Sequence, residues 1–177
     1  EEVTLTKIPV KEQVICSVDL GINTDAVCTI MRADGTVLGR KFIDHPSEKD
    51  RMYRALGRIR RFQRKHGSAQ TQGRWTYTKR LNTELGKKIA GAIVRYAEEN
   101  HADVIVFEYL EMQGKIPGKK KQKLHLWRKR DIQRRCKHQA HRKRMRVSRI
   151  CAWNTSRLAY DGSGAVTRDW EDHSLCT

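Results

Sequence analysis

Apolar residues in this chain come first in short runs and then at helical spacing. Residues 14–19 form an apolar run that ends on a carboxylate, Asp19, and read as a buried strand. Residues 26–31 and 37–43 read as two further strands, separated by Ala33-Asp34-Gly35-Thr36, in which Asp-Gly is a hairpin signal. Together they predict a three-stranded antiparallel meander with Asp19 on its first strand. Pro46-Ser47-Glu48 then opens a helix with Ser47 at the N-cap. Met52, Leu56, Ile59 and Phe62 mark one face of it, and Arg51, Arg54, Arg58, Arg60, Arg61, Arg64 and Lys65 the other. A polar break over 67–73 precedes a second long helix over 78–100, where Leu81, Leu85, Ile89, Ile93, Val94 and Ala97 recur at helical spacing. Trp75 and Tyr77, at its opening, read as packing anchors. A short apolar strand over 104–107 follows, as a parallel crossover requires.

Beyond that strand the pattern thins. Residues 114–118 are glycine-flanked and flexible in character, and 124–141 can form a helix on three apolar anchors, Leu124, Trp127 and Ile132. Residues 145–152 alternate toward a strand, which puts Cys151 in the core. The stretch 161–177 is small and polar without periodicity, and the chain has no internal repeat. The order strand, strand, strand, helix, helix, strand, helix, strand is α/β and matches the ribonuclease H-like arrangement, a central mixed sheet with flanking helices. The expected organisation is an extended lead-in (1–13), a core (14–153) with a basic insertion (114–142), and a tail (154–177).

Charge changes this picture. The 177 residues carry a formal net charge of +17. Self-repulsion on that scale destabilises a compact state, so it points to a polyanionic partner, nucleic acid first and an anionic membrane surface second. Residues 115–149 alone hold sixteen Lys or Arg against one acid, Asp131. Such a run could be a solvated helix face; its size and near lack of acids favour phosphate contact through Lys119, Lys120, Lys121, Arg128, Arg130, Arg134, Arg135 and Arg142. Trp127, Trp153 and Tyr109 could stack on bases. No apolar run approaches the roughly 18 residues of a membrane-spanning helix, and the start, Glu1-Glu2-Val3-Thr4, lacks the features of a signal peptide. The cysteines, Cys16, Cys28, Cys136, Cys151 and Cys176, are odd in number and never in a C-x-x-C pair. That argues against a disulfide scaffold or a complete zinc site and for a reducing, cytoplasmic setting. His125, His138 and His141 read as surface residues rather than ligands.

Two acids stand out from this basic background. Asp19 closes a strand and is followed by Leu20-Gly21, a glycine beside which another backbone, a metal or a phosphate could approach. Glu108 has the same context in Asp103-Val104-Ile105-Val106-Phe107-Glu108. Alternation puts Asp103 on the other face, while Glu111 would replace Glu108 only if the register slipped. Alone, Asp19 could cap a turn and Glu108 could pair with an arginine. As a pair on two buried strands they suggest bound cations and a phosphodiester substrate.

Val18-Asp19-Leu20-Gly21-Ile22-Asn23 resembles the first RuvC motif of TnpB proteins, encoded by insertion sequences, and of the type V CRISPR effector nucleases. Val106-Phe107-Glu108-Tyr109-Leu110 resembles their second RuvC motif, and Trp153-Asn154-Thr155-Ser156-Arg157 the Thr-Ser segment that enters their zinc ribbon. The likeness covers roughly 14–165, with the motifs in family order. It implies a RuvC-like nuclease core that hydrolyses DNA phosphodiesters with Mg²⁺ or Mn²⁺ on Asp19 and Glu108, and guide RNA and target DNA as partners. One carboxylate would bridge two ions and the other bind one of them; magnesium favours such hard oxygen ligands. Two departures follow. Ala159 and Gly162 stand where the family's zinc cysteines would, so a degenerate ribbon without zinc is expected over 154–177. The third RuvC aspartate, near Asn-Ala, has no match before Thr177, so a chain cut short of it is expected, with Asp161, Asp169, Glu171 and Asp172 as substitutes that no spacing selects. A non-catalytic nucleic-acid-binding module of the same fold is the alternative. A sugar-kinase or actin-like ATPase, where Asp-x-Gly also follows a first strand, would need a second nucleotide-binding half.

Overall fold

The computed structural model describes residues 8–21, 23–67, 70–109 and 129–151, together with two short strands at 166–168 and 174–176. After a 3₁₀ turn at Val10–Glu12, three strands run β1 (Val14–Asp19), β2 (Ala26–Arg32) and β3 (Val37–Ile43). They pair antiparallel, as the alternation and the Asp34-Gly35 turn predict. Gly35 has φ +90°, a conformation glycine adopts without Cβ strain. Asp34 Oδ1 accepts from the Thr36 N–H at 2.8 Å, which closes the turn.

Two helices follow, α1 (Pro46–His66) and α2 (Gln72–Glu99). Ser47, predicted at the N-cap of α1, instead lies inside the first turn, since His45 occupies the cap position and Pro46 the first helical one, where a missing N–H costs nothing. Helix α2 begins six residues before the expected start. Its first turns hold Gly73, Thr76 and a buried Thr78, so the apolar period that marks a helix is absent there although the backbone is helical. Thr78 satisfies its hydroxyl locally, donating to the Arg74 carbonyl at 3.0 Å. Tyr77, read as a packing anchor, is among the exposed large side chains.

Strand β4 (Val104–Tyr109), helix α3 (Lys129–Arg142) and strand β5 (Arg146–Cys151) complete the layer. The sheet order is β3-β2-β1-β4-β5, with β1–β4 and β4–β5 parallel. This is a mixed five-stranded sheet with flanking helices, an α/β architecture of the ribonuclease H-like kind. The basic stretch therefore contains a core helix, since Ile132, Gln133, Cys136 and Ala140 of α3 are buried. The remaining part of that stretch, with Lys119, Lys120, Lys121, Leu124, Trp127 and Arg128, lies outside the described residues. So do Trp153 and most of the tail, in which Val166–Arg168 and Ser174–Cys176 pair antiparallel. Among the described residues, no helix is long and apolar enough to cross a membrane.

The core lies on one side of the sheet. Cys16, Val18, Cys28, Ile30, Ile105 and Phe107 meet Leu85, Ile89, Ile93 and Ala97 of α2 and Ile132, Cys136 and Ala140 of α3. Helix α1 packs on α2 through Met52, Ala55, Leu56 and Ile59 rather than on the sheet. Cys16, Cys28 and Cys136 are buried free thiols. The neighbouring Cys28 thiol and burial push the Cys16 thiol up, and burial pushes Cys136 up, so neither is a reactive thiolate. Asp103 sets the strand register: its Oδ2 accepts from the Val14 N–H at 2.8 Å, its own N–H donates to the Val14 carbonyl at 2.8 Å, and its carbonyl accepts from the Arg146 N–H at 3.0 Å. One residue thereby ties together the starts of β1, β4 and β5.

Candidate metal and nucleic-acid site

Asp19 is the last residue of β1 and Glu108 the next-to-last of β4. The parallel register pairs Ile15 with Val104 and ends with Val18 opposite Phe107, so the next step along both strands reaches Asp19 and Glu108. Cys16, Val18, Ile105 and Phe107 point into the core. Alternation sends Asp19 and Glu108 to the other face together. There Asp19 is exposed and Glu108 half-buried. Neighbouring strands lie roughly 4.8 Å apart, close enough for two carboxylates in one row to share a cation. The pairings continue that row across the whole sheet: Phe42 opposite Val27, Val27 opposite Asp19, and Glu108 opposite Ile150. Phe42 and Ile150, at its two ends, are 66% and 45% exposed, so the acidic pair sits in a face open to large ligands.

Gly21 acquires a specific role. A Cβ there would stand 2.5 Å from the Thr24 carbonyl oxygen. Of the three close approaches that a glycine after Asp19 allows, the structure shows that of the chain's own backbone. The turn so formed is clamped by Asp25, a buried carboxylate with His45 Nδ1 at 2.9 Å and Lys49 Nζ at 3.3 Å. Lys49 also pairs with Asp44 and donates to the Asn23 carbonyl. Burial alone would lower the Lys49 pKa; hydrogen bonding and charge from Asp44 and Asp25 outweigh it, and the net direction is up. This cluster holds the segment after Asp19 against the start of α1. Sequence pattern does not reveal it, because Asp25, His45 and Lys49 belong to three separate elements.

Lys129 is the other group that pattern does not single out. It is the first residue of α3, and the charges of both Glu108 and Asp19 act on its ammonium. Burial lowers its pKa by more than the two carboxylates raise it. One turn further on, Gln133 is buried and donates from Nε2 to the Glu108 carbonyl at 3.3 Å, fixing α3 to the end of β4. Within a run of like residues, nothing in the sequence distinguishes this lysine.

The predicted phosphate contacts divide. Arg130, Arg134 and Arg142 are exposed on α3. Arg134 and Arg135 hydrogen-bond Asp131 at 2.7 and 2.9 Å, so the single acid of the stretch holds two of its arginines. Arg51, Arg54, Arg58, Arg60, Arg61, Arg64 and Lys65 are all exposed on α1, a basic face comparable to the one read from the later segment. His138 is exposed and His141 half-buried. As ligands for a divalent cation, Asp19 and Glu108 have the right chemistry: two hard anionic oxygens on rigid neighbouring strands. No group of three or more Asp, Glu, His or Cys residues able to hold a metal occurs among the described residues.

No protein-family model and no curated protein matches the chain. Solved structures do. The chain is similar to a protein in a cryo-EM structure of a Cas12f1–sgRNA–target DNA complex, with a TM-score of 0.67 over 97% of this chain at 15% identity. It is also similar to one in a CRISPR–Cas12f ternary complex, with a TM-score of 0.63 over 99% of this chain at 13% identity. At such identities the likeness is one of fold: the chain has the α/β fold found in type V CRISPR effectors. It spans 48% and 38% of the length of those two proteins.

Proposed function

We propose that this chain is the RuvC-like nuclease core of a TnpB-type, RNA-guided DNA endonuclease, with Asp19 and Glu108 as ligands of catalytic Mg²⁺ or Mn²⁺. The observation that carries the reading is the arrival of these two acids, 89 residues apart in sequence, side by side on the open face of the sheet. The chain supports it in three further ways. Rigid strands hold both carboxylates, which limits the freedom each loses on taking up a cation. The Asp25–His45–Lys49 cluster and Gln133 steady the backbone next to each acid. The exposed basic faces of α1 and α3 can neutralise phosphates by counterion release without reading sequence. The cations themselves would activate water and stabilise the leaving oxygen. Asp19 and Glu108 would place them, and the basic faces would hold the backbone being cut. A third carboxylate, which such a site normally needs, would come from outside the described residues. The partners would be a guide RNA and a target DNA, by analogy with the nucleic acids in the two Cas12f complexes.

The test is a Mn²⁺ titration of wild type and Asp19→Ala by calorimetry, paired with cleavage of labelled DNA. Loss of binding in the variant is expected. Equal binding by both proteins rejects the assignment. A second reading is a binding module of the same fold without cleavage, which the exposed basic faces of α1 and α3 would serve equally. Nucleic-acid binding with no Mn²⁺-dependent cleavage, in this chain and in one extended past Thr177, would select it.

A further inference from the structure

A lysine at the first position of a helix is in an unfavourable place, because the N-terminus already carries a partial positive charge. Lys129 holds that position in α3, and its Nζ has less than 1 Å² of solvent-accessible surface. An ammonium taken out of water at the positive end of a helix carries two costs, so a compensating negative field must lie close by. Among the described residues that field includes the acidic pair, since the charges of Glu108 and Asp19 both act on Lys129. The geometry that brings them together is independent of any charge. Lys129 and Gln133 are one helical turn apart on the same face, the face that also buries Ile132, Cys136 and Ala140. Gln133 is bound to the backbone of Glu108 itself. The side chain one turn before it is therefore directed toward the ends of β4 and β1. Arg130 faces solvent, where a phosphate can reach it; the Lys129 Nζ is covered.

We propose that the Lys129 ammonium is the built-in counter-ion of the Asp19–Glu108 pair, and that a divalent cation binds by displacing it. The proposal rests on the metal-ligand reading of the two acids and adds a competitor to it. In the metal-free protein one positive charge partly neutralises two carboxylates and keeps them from repelling each other apart. On loading, the ammonium gives up the carboxylates and moves toward the open face, where a phosphate can receive it. Metal affinity is then lower than two carboxylates would provide unopposed, and the site fills only when the cation outcompetes the lysine. Charges held close together in a partly buried site interact more strongly than they do in water, so release of the competitor should tighten divalent binding by roughly tenfold or more.

The experiment is a Mn²⁺ titration at fixed pH and ionic strength, read by electron paramagnetic resonance of the free ion. Wild type, Lys129→Met, Lys129→Arg and Asp19→Ala are compared, with circular dichroism confirming that each is folded. Lys129→Met keeps most of the unbranched side chain and removes the charge, and it should bind Mn²⁺ roughly tenfold more tightly. Lys129→Arg keeps the charge and should stay near wild type. Lys129→Gln is the replacement if Lys129→Met does not fold. Unchanged or weaker binding by the neutral variant, with binding still abolished in Asp19→Ala, overturns the counter-ion role and leaves the metal site standing. Binding by Asp19→Ala equal to wild type, or no binding by wild type and Lys129→Met alike, overturns both.

Discussion

Replacing Gly21 by alanine tests how the turn after β1 supports the candidate site. A Cβ at this position would lie 2.5 Å from the Thr24 carbonyl oxygen, whereas ordinary contact begins near 3.4 Å. The obstacle is backbone, not a side chain that can rotate away. Thr24 is also poorly placed to retreat, since Lys49 holds the carbonyl of Asn23 on one side and His45 and Lys49 hold Asp25 on the other. The turn must open, and overpacking of this kind costs about 1–3 kcal/mol. In a protein of this size each kcal/mol moves the melting temperature by about 2–4 °C, so a fall of about 2–12 °C is expected. Asp19 lies two residues away, and displacement of its strand end should weaken Mn²⁺ binding as well. Calorimetric melting and a Mn²⁺ titration read the two effects. Gly91→Ala is the control: Gly91 lies within α2 with nothing within 4 Å of a built Cβ, and alanine there should stabilise by about 0.5–1 kcal/mol. Gly21→Ala with wild-type melting and wild-type metal affinity would refute the role given to this turn.

Two further outcomes follow from the hydrogen bonds. Asp103→Ala removes the carboxylate that accepts from the Val14 N–H, and a bond of this charged kind is worth about 1.5–3 kcal/mol; urea unfolding should show that loss, and a change below about 0.5 kcal/mol would mean that the strand register is set elsewhere. Burial tends to raise the Asp131 pKa, but its hydrogen bonds from Arg135 and Arg134 outweigh this and hold the carboxyl below its ordinary value. A depressed folded-state pKa gives stability that is present above the unfolded value, about 3.9, and lost as pH falls through the folded one. Urea midpoints between pH 6 and pH 3 should therefore fall less steeply in Asp131→Asn than in wild type, the curves converging below pH 4; parallel curves would exclude the contribution.

Much of the sheet was legible. Strands β1 and β3 coincide with the apolar segments that predict them, and β2 differs by one residue at its end. Their pattern is local, and the Asp34-Gly35 turn connects neighbours in sequence. The start of α1 was legible at Pro46, but the cap was not, because the His45 ring that would compete for that role is bound to Asp25 of another segment. The start of α2 was missed because Trp75 and Tyr77, two residues apart among polar residues and Gly73, do not make a helical period. Strand β4 runs on through Glu108 and Tyr109 beyond the apolar residues that mark it, as pairing with β5 extends the ladder.

For the candidate site, the chain's own pattern determined which acids matter, because a carboxylate that closes an apolar strand before a glycine is conspicuous without any neighbour. It also determined that a large positive charge surrounds them. Only the tertiary structure decided that the two acids share one row and one open face, since this depends on the pairing of β1 with β4 between residues 89 positions apart in sequence. It alone separated Lys129 from the other basic residues of its stretch, by burying one ammonium at a helix start where the field of both acids reaches it. Periodicity records which side of an element is covered; which charges then meet is a matter of packing between elements distant in sequence.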